Sequence, residues 1–268
     1  MSCGFNDSTV IKNPLVEYIK VDTRPNDSIF QIESKGPYYV DNYIYNSCYE
    51  IKYKYQYEKD GDIKFSSLIG FDDWEFITRD SLDAGKGIKY IRLSAPNPNY
   101  EYNYEPQSTI KYEYLNSKNE LIMTEYTGVV ENYQNILIHN PREVIFKKLF
   151  SFPWPSIKFP LEKSKKWNWE WSYNAESYGD DRLFNWEGIT KMKFTYEVIK
   201  YDTLKLNFGN VEVTEIEAVG SNGKIENKLR YYFNSKLGFV KQVFSTDDGA
   251  KIELEAIEFK NKCAASGG

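Results

Sequence analysis

A chain of 268 residues that is 41% hydrophobic and 17% aromatic, with 23 Tyr, 16 Phe and 6 Trp, is too apolar to stay disordered. At this length it can bury a core without a disulfide framework. Its 34 basic and 39 acidic residues give a net charge of -5 with no basic stripe, which argues against a nucleic-acid partner, and neither a Walker A nor a G-x-G-x-x-G pattern supports a nucleotide.

The chain opens Met1-Ser2-Cys3-Gly4-Phe5-Asn6-Asp7. A cysteine at the very start, followed by small and polar residues, is similar to the start of a mature bacterial lipoprotein. Met-Ser then replaces the removed signal and Cys3 carries the lipid; the bland reading is an incidental terminal thiol. Residues 1–20 lack the apolar core of a signal peptide, so either the protein is cytosolic or a leader has been removed. No run of about 18 apolar residues exists to cross a bilayer as a helix. Residues 1–12 are read as an N-terminal tether.

Pro14, Pro25 and Gly36-Pro37 break up residues 13–47, leaving short strands over 15–21 and 29–32. The first strong strand is 49–57. There Tyr49, Ile51, Tyr53, Tyr55 and Tyr57 alternate with Glu50, Lys52, Lys54 and Gln56, the period-2 pattern of a half-buried strand. Lys59-Asp60-Gly61-Asp62 turns this into a hairpin with 63–69. A helical turn is expected within 81–87 and a strand over 88–93. Ala95-Pro96-Asn97-Pro98-Asn99 breaks the chain, and Tyr100, Tyr102 and Tyr104 alternate after it. Asn116-Ser117-Lys118-Asn119 joins 110–115 to 121–126, and Asn140-Pro141-Arg142 makes a turn between apolar runs over 136–138 and 144–149.

Three prolines, Pro153, Pro155 and Pro160, bar helix and central strand from 150–160, which is read as an extended crossover. It separates an N-terminal β region, 13–149, from a C-terminal β module, 150–262, the two being either separate or fused into one domain. Residues 263–268 read as a linker-like tail. Trp167, Trp169 and Trp171 share one face of an extended segment, and Trp186 lies in a polar loop. Alternation resumes at Met192, Phe194, Tyr196 and Val198, and again at Leu204, Leu206 and Phe208. The slip in parity between Val211 and Val213 on one side and Ile216 and Ala218 on the other predicts a β-bulge in that strand. Asn222-Gly223 suits a type I′ turn. Residues 231–244 form a hairpin whose Gly238 serves a positive φ, and the last strand, 252–259, slips parity between Ala256 and Ile257. The expected fold is all-β: an antiparallel, strongly curved sheet or partly closed barrel with very little helix.

Asn140-Pro141-Arg142, Phe152-Pro153-Trp154-Pro155, Trp167, Trp186-Glu187-Gly188, Phe208-Gly209 and Tyr232-Phe233-Asn234-x3-Gly238-Phe239-Val240-Lys241 occur in that order. Through them the chain, over about residues 120–259, resembles an uncharacterised family of secreted lipoproteins of Bacteroidota-type bacteria. The resemblance implies export and a lipid on the first mature cysteine, which suits Cys3. It implies no reaction.

Chemistry is sparse. His139 is the single histidine, which excludes multi-histidine metal sites, and HExxH and GxSxG are missing. A Cys48–His139 pair is weighed against a buried inert thiol and a loop histidine, and the latter are preferred. Cys3, Cys48 and Cys263 show no metal-ligand spacing. Asp72-Asp73, Asp180-Asp181 and Asp247-Asp248 could serve a glycosidase only with two carboxyls about 5–10 Å apart. Adjacent residues of an extended chain point to opposite sides, so these pairs read as solvated loops. No catalytic residue, metal or cofactor is assigned. The candidate binding residues are Trp167, Trp169, Trp171 and Trp186, as a stacking platform for a glycan or an anchor for a protein, set against a preferred reading in which most aromatics fill the core.

These observations lead us to expect a non-enzymatic cell-envelope lipoprotein, anchored through Cys3 at the periplasmic or surface face of a bacterial outer membrane. It would bind or scaffold a protein or glycan partner. A carrier of an apolar ligand in a β trough would need a cavity that neither helix nor loop fills. A glycan-active enzyme would need two carboxyls converging beside Trp167 or Trp186.

Overall fold

The computed structural model describes residues 16–20, 30–34, 42–70, 73–96, 108–131, 134–174, 189–246 and 248–263. Strands β1 (Val16–Lys20) and β2 (Phe30–Ser34) pair as a separate antiparallel ribbon. The next elements are β3 (Tyr49–Lys59), β4 (Asp62–Leu68), β5 (Trp74–Ile77), a short helix α1 (Arg79–Asp83), β6 (Tyr90–Ser94), β7 (Ser108–Leu115), β8 (Leu121–Glu131) and β9 (Asn135–Ile138). A 3-10 helix (Val144–Ser151) and a three-residue strand β10 (Ser156–Lys158) follow. The chain then runs through β11 (Lys166–Asn174), β12 (Ile189–Leu206), β13 (Gly209–Ser221), β14 (Glu226–Asn234), β15 (Gly238–Ser245) and β16 (Lys251–Asn261).

Twelve of these strands lie side by side, all antiparallel, in the order β10-β9-β8-β7-β6-β3-β16-β15-β14-β13-β12-β11, with β4 and β5 branching from β3. The fold is all-β and barrel-like. Two meanders, β6 to β10 and β11 to β16, are joined through β3. Residues 50–54 of β3 pair with β6 on the edge that residues 57–59 give to β4. Its other edge takes β16, so chain on both sides of residue 150 builds one sheet.

The period-2 pattern of the sequence sorts side chains to the two faces. Tyr49, Ile51, Tyr53, Tyr55 and Tyr57 are buried, and Ile252, Leu254 and Ala256 of β16 join them. At Ile257 an extra residue shifts the β16–β3 register, as the parity slip predicts, and Phe259 returns to the core side. In the other slip the bulge sits one strand over: the register breaks at Ile199 of β12, while β13 pairs evenly with β14. The extra residue in the neighbour lets β13 keep regular pairing while its buried set changes parity.

The outward face is charged. Lys54 and Lys241 both meet Glu255, at 2.6 and 2.7 Å, and Lys241 and Lys251 both meet Glu253, at 2.8 and 3.1 Å. Such a ladder is the reverse of the apolar band that a lipid-facing barrel presents. No helix among the described residues is long and apolar enough to cross a membrane.

Aromatic residues and a plug fill the interior. The run 144–149, read from sequence in a chain without helices beyond two turns, is instead a 3-10 helix, with Ile145, Phe146 and Leu149 fully buried. The Phe146 ring packs 5.0 Å from Tyr55 and 5.8 Å from Tyr114, and Phe152 lies 5.5 Å from Phe244. A wide barrel needs large side chains and must also bond the backbone of whatever enters it, and tyrosine does both. Tyr53 and Tyr49 hydroxyls donate to the carbonyls of Phe239 (2.7 Å) and Leu237 (2.9 Å). Tyr112 donates to His139 O (2.7 Å), Tyr196 to Trp154 O (3.1 Å) and Tyr231 to Ser156 O.

Cysteine usage differs from the sequence expectation. Cys48 is not an inert thiol and Cys263 does not begin a loose tail: the two form a disulfide, with Cα atoms 5.2 Å apart. Cys48 directly precedes β3 and Cys263 closely follows β16. The pairing of Tyr49 with Asn261, and the hydrogen bond from Lys262 N to Cys48 O at 2.8 Å, bring them together. Sequence separation hid a contact that only sheet order creates.

Candidate functional site

The two terminal strands of the sheet, β10 and β11, are not paired with each other among the described residues, and a crevice lies between them. Pro155 and Pro160 bound β10 and keep it to three residues, as prolines do at a sheet edge. β11 carries Trp167 and Trp169 toward the core side because they alternate with Asn168 and Glu170. Leu137, Asn135, Ser156 and Lys158 line the opposite wall. The crevice has room for about 20 Å³, the size of one water.

The tryptophans differ in environment. Trp167 is only 5% exposed, and its ring stacks on Tyr196 at 5.2 Å with an interplanar angle of 2°. Its indole Nε1 is buried with no hydrogen-bond partner among the described residues. Trp169 is half-buried, 5.0 Å from Trp154 and 5.6 Å from Phe194. Trp171 continues β11 opposite Met192, and its side chain lies outside the described residues, as do Trp186 and Cys3. Of the four candidate tryptophans, two therefore meet at one crevice. Val130, Asn135, Leu137, Ser156 and Lys158, which complete it, come from the far side of the sheet. The alternation within Trp167-x-Trp169 signals a shared face; nothing local signals the facing wall.

Behind Trp154 lies His139, ring centroids 4.1 Å apart. Its Nδ1 is 2.9 Å from Thr127 Oγ1, and its Nε2 is buried with no partner among the described residues. Burial, aided by the Arg142 guanidinium, holds its pKa down at about 3. Arg142 is itself fixed by Glu125, which accepts from its Nε and its backbone N, both at 2.9 Å. The disulfide removes Cys48 from any pairing with this histidine.

Of the paired carboxylates, Asp248 lies at the opposite end of β3 and β16 from the disulfide, where Lys59 Nζ meets it at 2.8 Å and Lys148 Nζ at 3.4 Å. Partial burial would raise its pKa, but the bonds from Lys59 and Thr246 and the charge of Lys148 outweigh that and hold it well below the usual carboxylate range. It is a poor proton donor near neutrality. Asp72, Asp180, Asp181 and Asp247 lie outside the described residues.

The fold is thus a barrel-like antiparallel sheet with its own internal plug and one aromatic seam. No family model and no curated protein matches the chain. Among solved structures it is similar to a candidate exported protein with a YmcC-like fold from Bacteroides fragilis, at 10% identity and a TM-score of 0.41, covering 82% of this chain and 98% of that one. A candidate lipoprotein from Parabacteroides distasonis gives 9% identity and a TM-score of 0.42 over 82% and 98% of the two chains. The hypothetical lipoprotein YmcC from Escherichia coli gives 10% and 0.35 over 80% and 88%.

Proposed function

We propose that the protein works outside the cytoplasm, tethered to a bacterial envelope membrane by a lipid on Cys3, as a non-catalytic module that binds or scaffolds a partner. The reading rests first on the Cys48–Cys263 disulfide, because such bonds form and persist in oxidising compartments and are rare in the cytosol. Two acyl chains on Cys3 would anchor the protein stably, where one would hold it only marginally. The plugged interior speaks against a carrier of apolar ligands, since Phe146, Phe152 and Leu149 occupy the space such a ligand would need. The aromatic seam is the part best suited to a partner.

The test is the intact mass of the mature form purified from the envelope of its native cell, before and after thiol alkylation. We expect an acylated Cys3 and no alkylation of Cys48 or Cys263. A mature form with free thiols at both positions and no acyl chains would sink the reading.

A further inference from the structure

Strand β12 outruns its neighbour. Its residues 189–197 pair with β11, whereas 200–206 pair with β13 alone, so one edge of that stretch has no strand beside it among the described residues. The hairpin decides which groups line this edge. β12 and β13 meet across the two-residue loop Asn207-Phe208, and the pair flanking such a loop, Leu206 and Gly209, exchanges hydrogen bonds. Alternation then gives Asp202, Leu204 and Leu206 to β13 and turns the N–H and C=O groups of Tyr201, Thr203 and Lys205 outward. Two contacts agree with this assignment. Glu212, which stands opposite Thr203, offers its carbonyl to Asn234 Nδ2 at 2.8 Å, and Thr203 N donates to its neighbour's carboxylate, Asp202 Oδ1, at 2.8 Å. The β13 edge of this arm is thus covered at Glu212 by the β14–β15 turn, while the β12 edge presents a template for a further strand.

We propose that this edge takes a second copy of the chain, the two β12 strands pairing antiparallel about a two-fold axis at Thr203. Thr203 is the midpoint of 200–206, so this register uses the whole free stretch. Each Thr203 N–H donates to the other copy's Thr203 carbonyl, and Tyr201 of each copy exchanges backbone bonds with Lys205 of the other. The side chains are self-complementary in that register. Tyr201, Thr203 and Lys205 stand exposed on one face, where each Lys205 ammonium meets a Tyr201 ring and the two threonines meet at the axis. On the other face Asp202 meets Leu204 and Lys200 meets Leu206, so no like charges oppose each other. Pairing stops at residue 200, because Ser164 N and Lys165 O already bond Val198 beyond it. Each copy therefore adds its arm where the other's β11 ends, giving a ribbon β13-β12-β12-β13 with a barrel at either end. The axis closes the pair, so assembly ends at a dimer. A ribbon this short buries less than the roughly 1,000 Å² of a durable interface, and Asp202 must first release the Thr203 N–H. The dimer is weak in solution and is favoured by tethering in one membrane, which raises the local concentration. That last effect rests on the lipid-anchor reading; the pairing itself does not.

The test is sedimentation equilibrium of the oxidised, unacylated chain over about 10 μM to 1 mM, the range of weak association. We expect a reversible monomer–dimer equilibrium. Thr203→Pro should weaken it about tenfold or more, because it removes the outward N–H while the β12–β13 bonds stay. Asp202→Ala, which frees that N–H, should tighten it about threefold. Lys205→Glu, a change at an exposed position, should weaken it about threefold and keeps the test valid if Thr203→Pro folds poorly. The register is read from Thr203→Cys in a Cys3→Ser background. The axis sets the two Cα atoms about 5.5 Å apart, within disulfide reach, so mild oxidation should link the dimer. Lys236→Cys, exposed on the nearby β14–β15 turn, should not link. A monomer throughout the range, a dimer indifferent to Thr203→Pro, equal linking at 203 and 236, or species that keep growing with concentration would each overturn the proposal. Any of these results leaves the envelope reading standing, since that turns on Cys3 and the disulfide.

Discussion

At the scale of single residues, the one imidazole of the chain is a sensitive reporter. His139 is held neutral in the folded state, with a pKa of about 3, against about 6.5 in an unfolded chain. The unfolded state therefore takes up a proton first as pH falls. Stability is fully present above about pH 6.5 and declines toward pH 3 by roughly 1.4 kcal/mol per unit. Denaturant melts between pH 7 and 4 should show this slope, and His139→Gln should flatten it. The imidazole NMR signal of the native protein should stay in its neutral position down to about pH 4; titration near 6.5 would contradict the burial described. Asp248 acts in the same direction at lower pH: its depressed pKa adds stability above about 3.9 that is lost on acidification below it. Its side chain is 42% exposed, so screening limits the effect, and Asp248→Asn should cost no more than about 1 kcal/mol at pH 7.

At the scale of elements, the 3-10 plug and the β14–β15 turn carry the fold. Phe146 is fully buried between Tyr55 and Tyr114. Phe146→Ala should destabilise by about 3–5 kcal/mol in urea melts and expose buried tyrosine to solvent. A loss under about 1 kcal/mol would mean that the interior collapses readily around the gap. The turn residue Gly238 has φ +73°, as the hairpin reading expects, and carries a second constraint that sequence did not reveal. A Cβ there would stand 2.5 Å from the Tyr45 hydroxyl. Gly238→Ala should therefore cost more than the roughly 1–2 kcal/mol of a left-handed conformation alone. Adding Tyr45→Phe should return part of the loss. The plug itself was not legible locally: its apolar run looks like a buried strand, and short apolar runs do not distinguish the two.

At the scale of the whole molecule, one bond holds the two ends of the barrel body together. Cys48 and Cys263 are separated by 215 residues of sequence. Removing so long a constraint, as in the Cys48→Ser/Cys263→Ser double variant, should lower stability by about 2–5 kcal/mol. A thiol count of the unacylated, denatured chain should give one before reduction and three after. Three before reduction would remove the disulfide and, with it, the strongest support for export. The seam belongs to this scale too, because β10 and β11 face each other only once the ten strands between them in the sheet order have curled.

Sequence alone decided much of what depends on neighbours along the chain. Alternating side chains gave the strands of β3 and β11–β16 and their buried faces, Asn222-Gly223 and Asp60-Gly61 marked turns, and Ala256-Ile257 marked a bulge that the register contains. It also placed Trp167 and Trp169 on one face. Tertiary structure decided what depends on strand order: the disulfide, the plug inside the barrel, the bulge moved to Ile199 of β12, and the Lys158 wall that faces the tryptophans. The physical reason is the range of the forces. Backbone geometry and side-chain alternation act over two to four residues and leave a local record, whereas sheet closure joins residues a hundred or more apart through packing that no local pattern encodes.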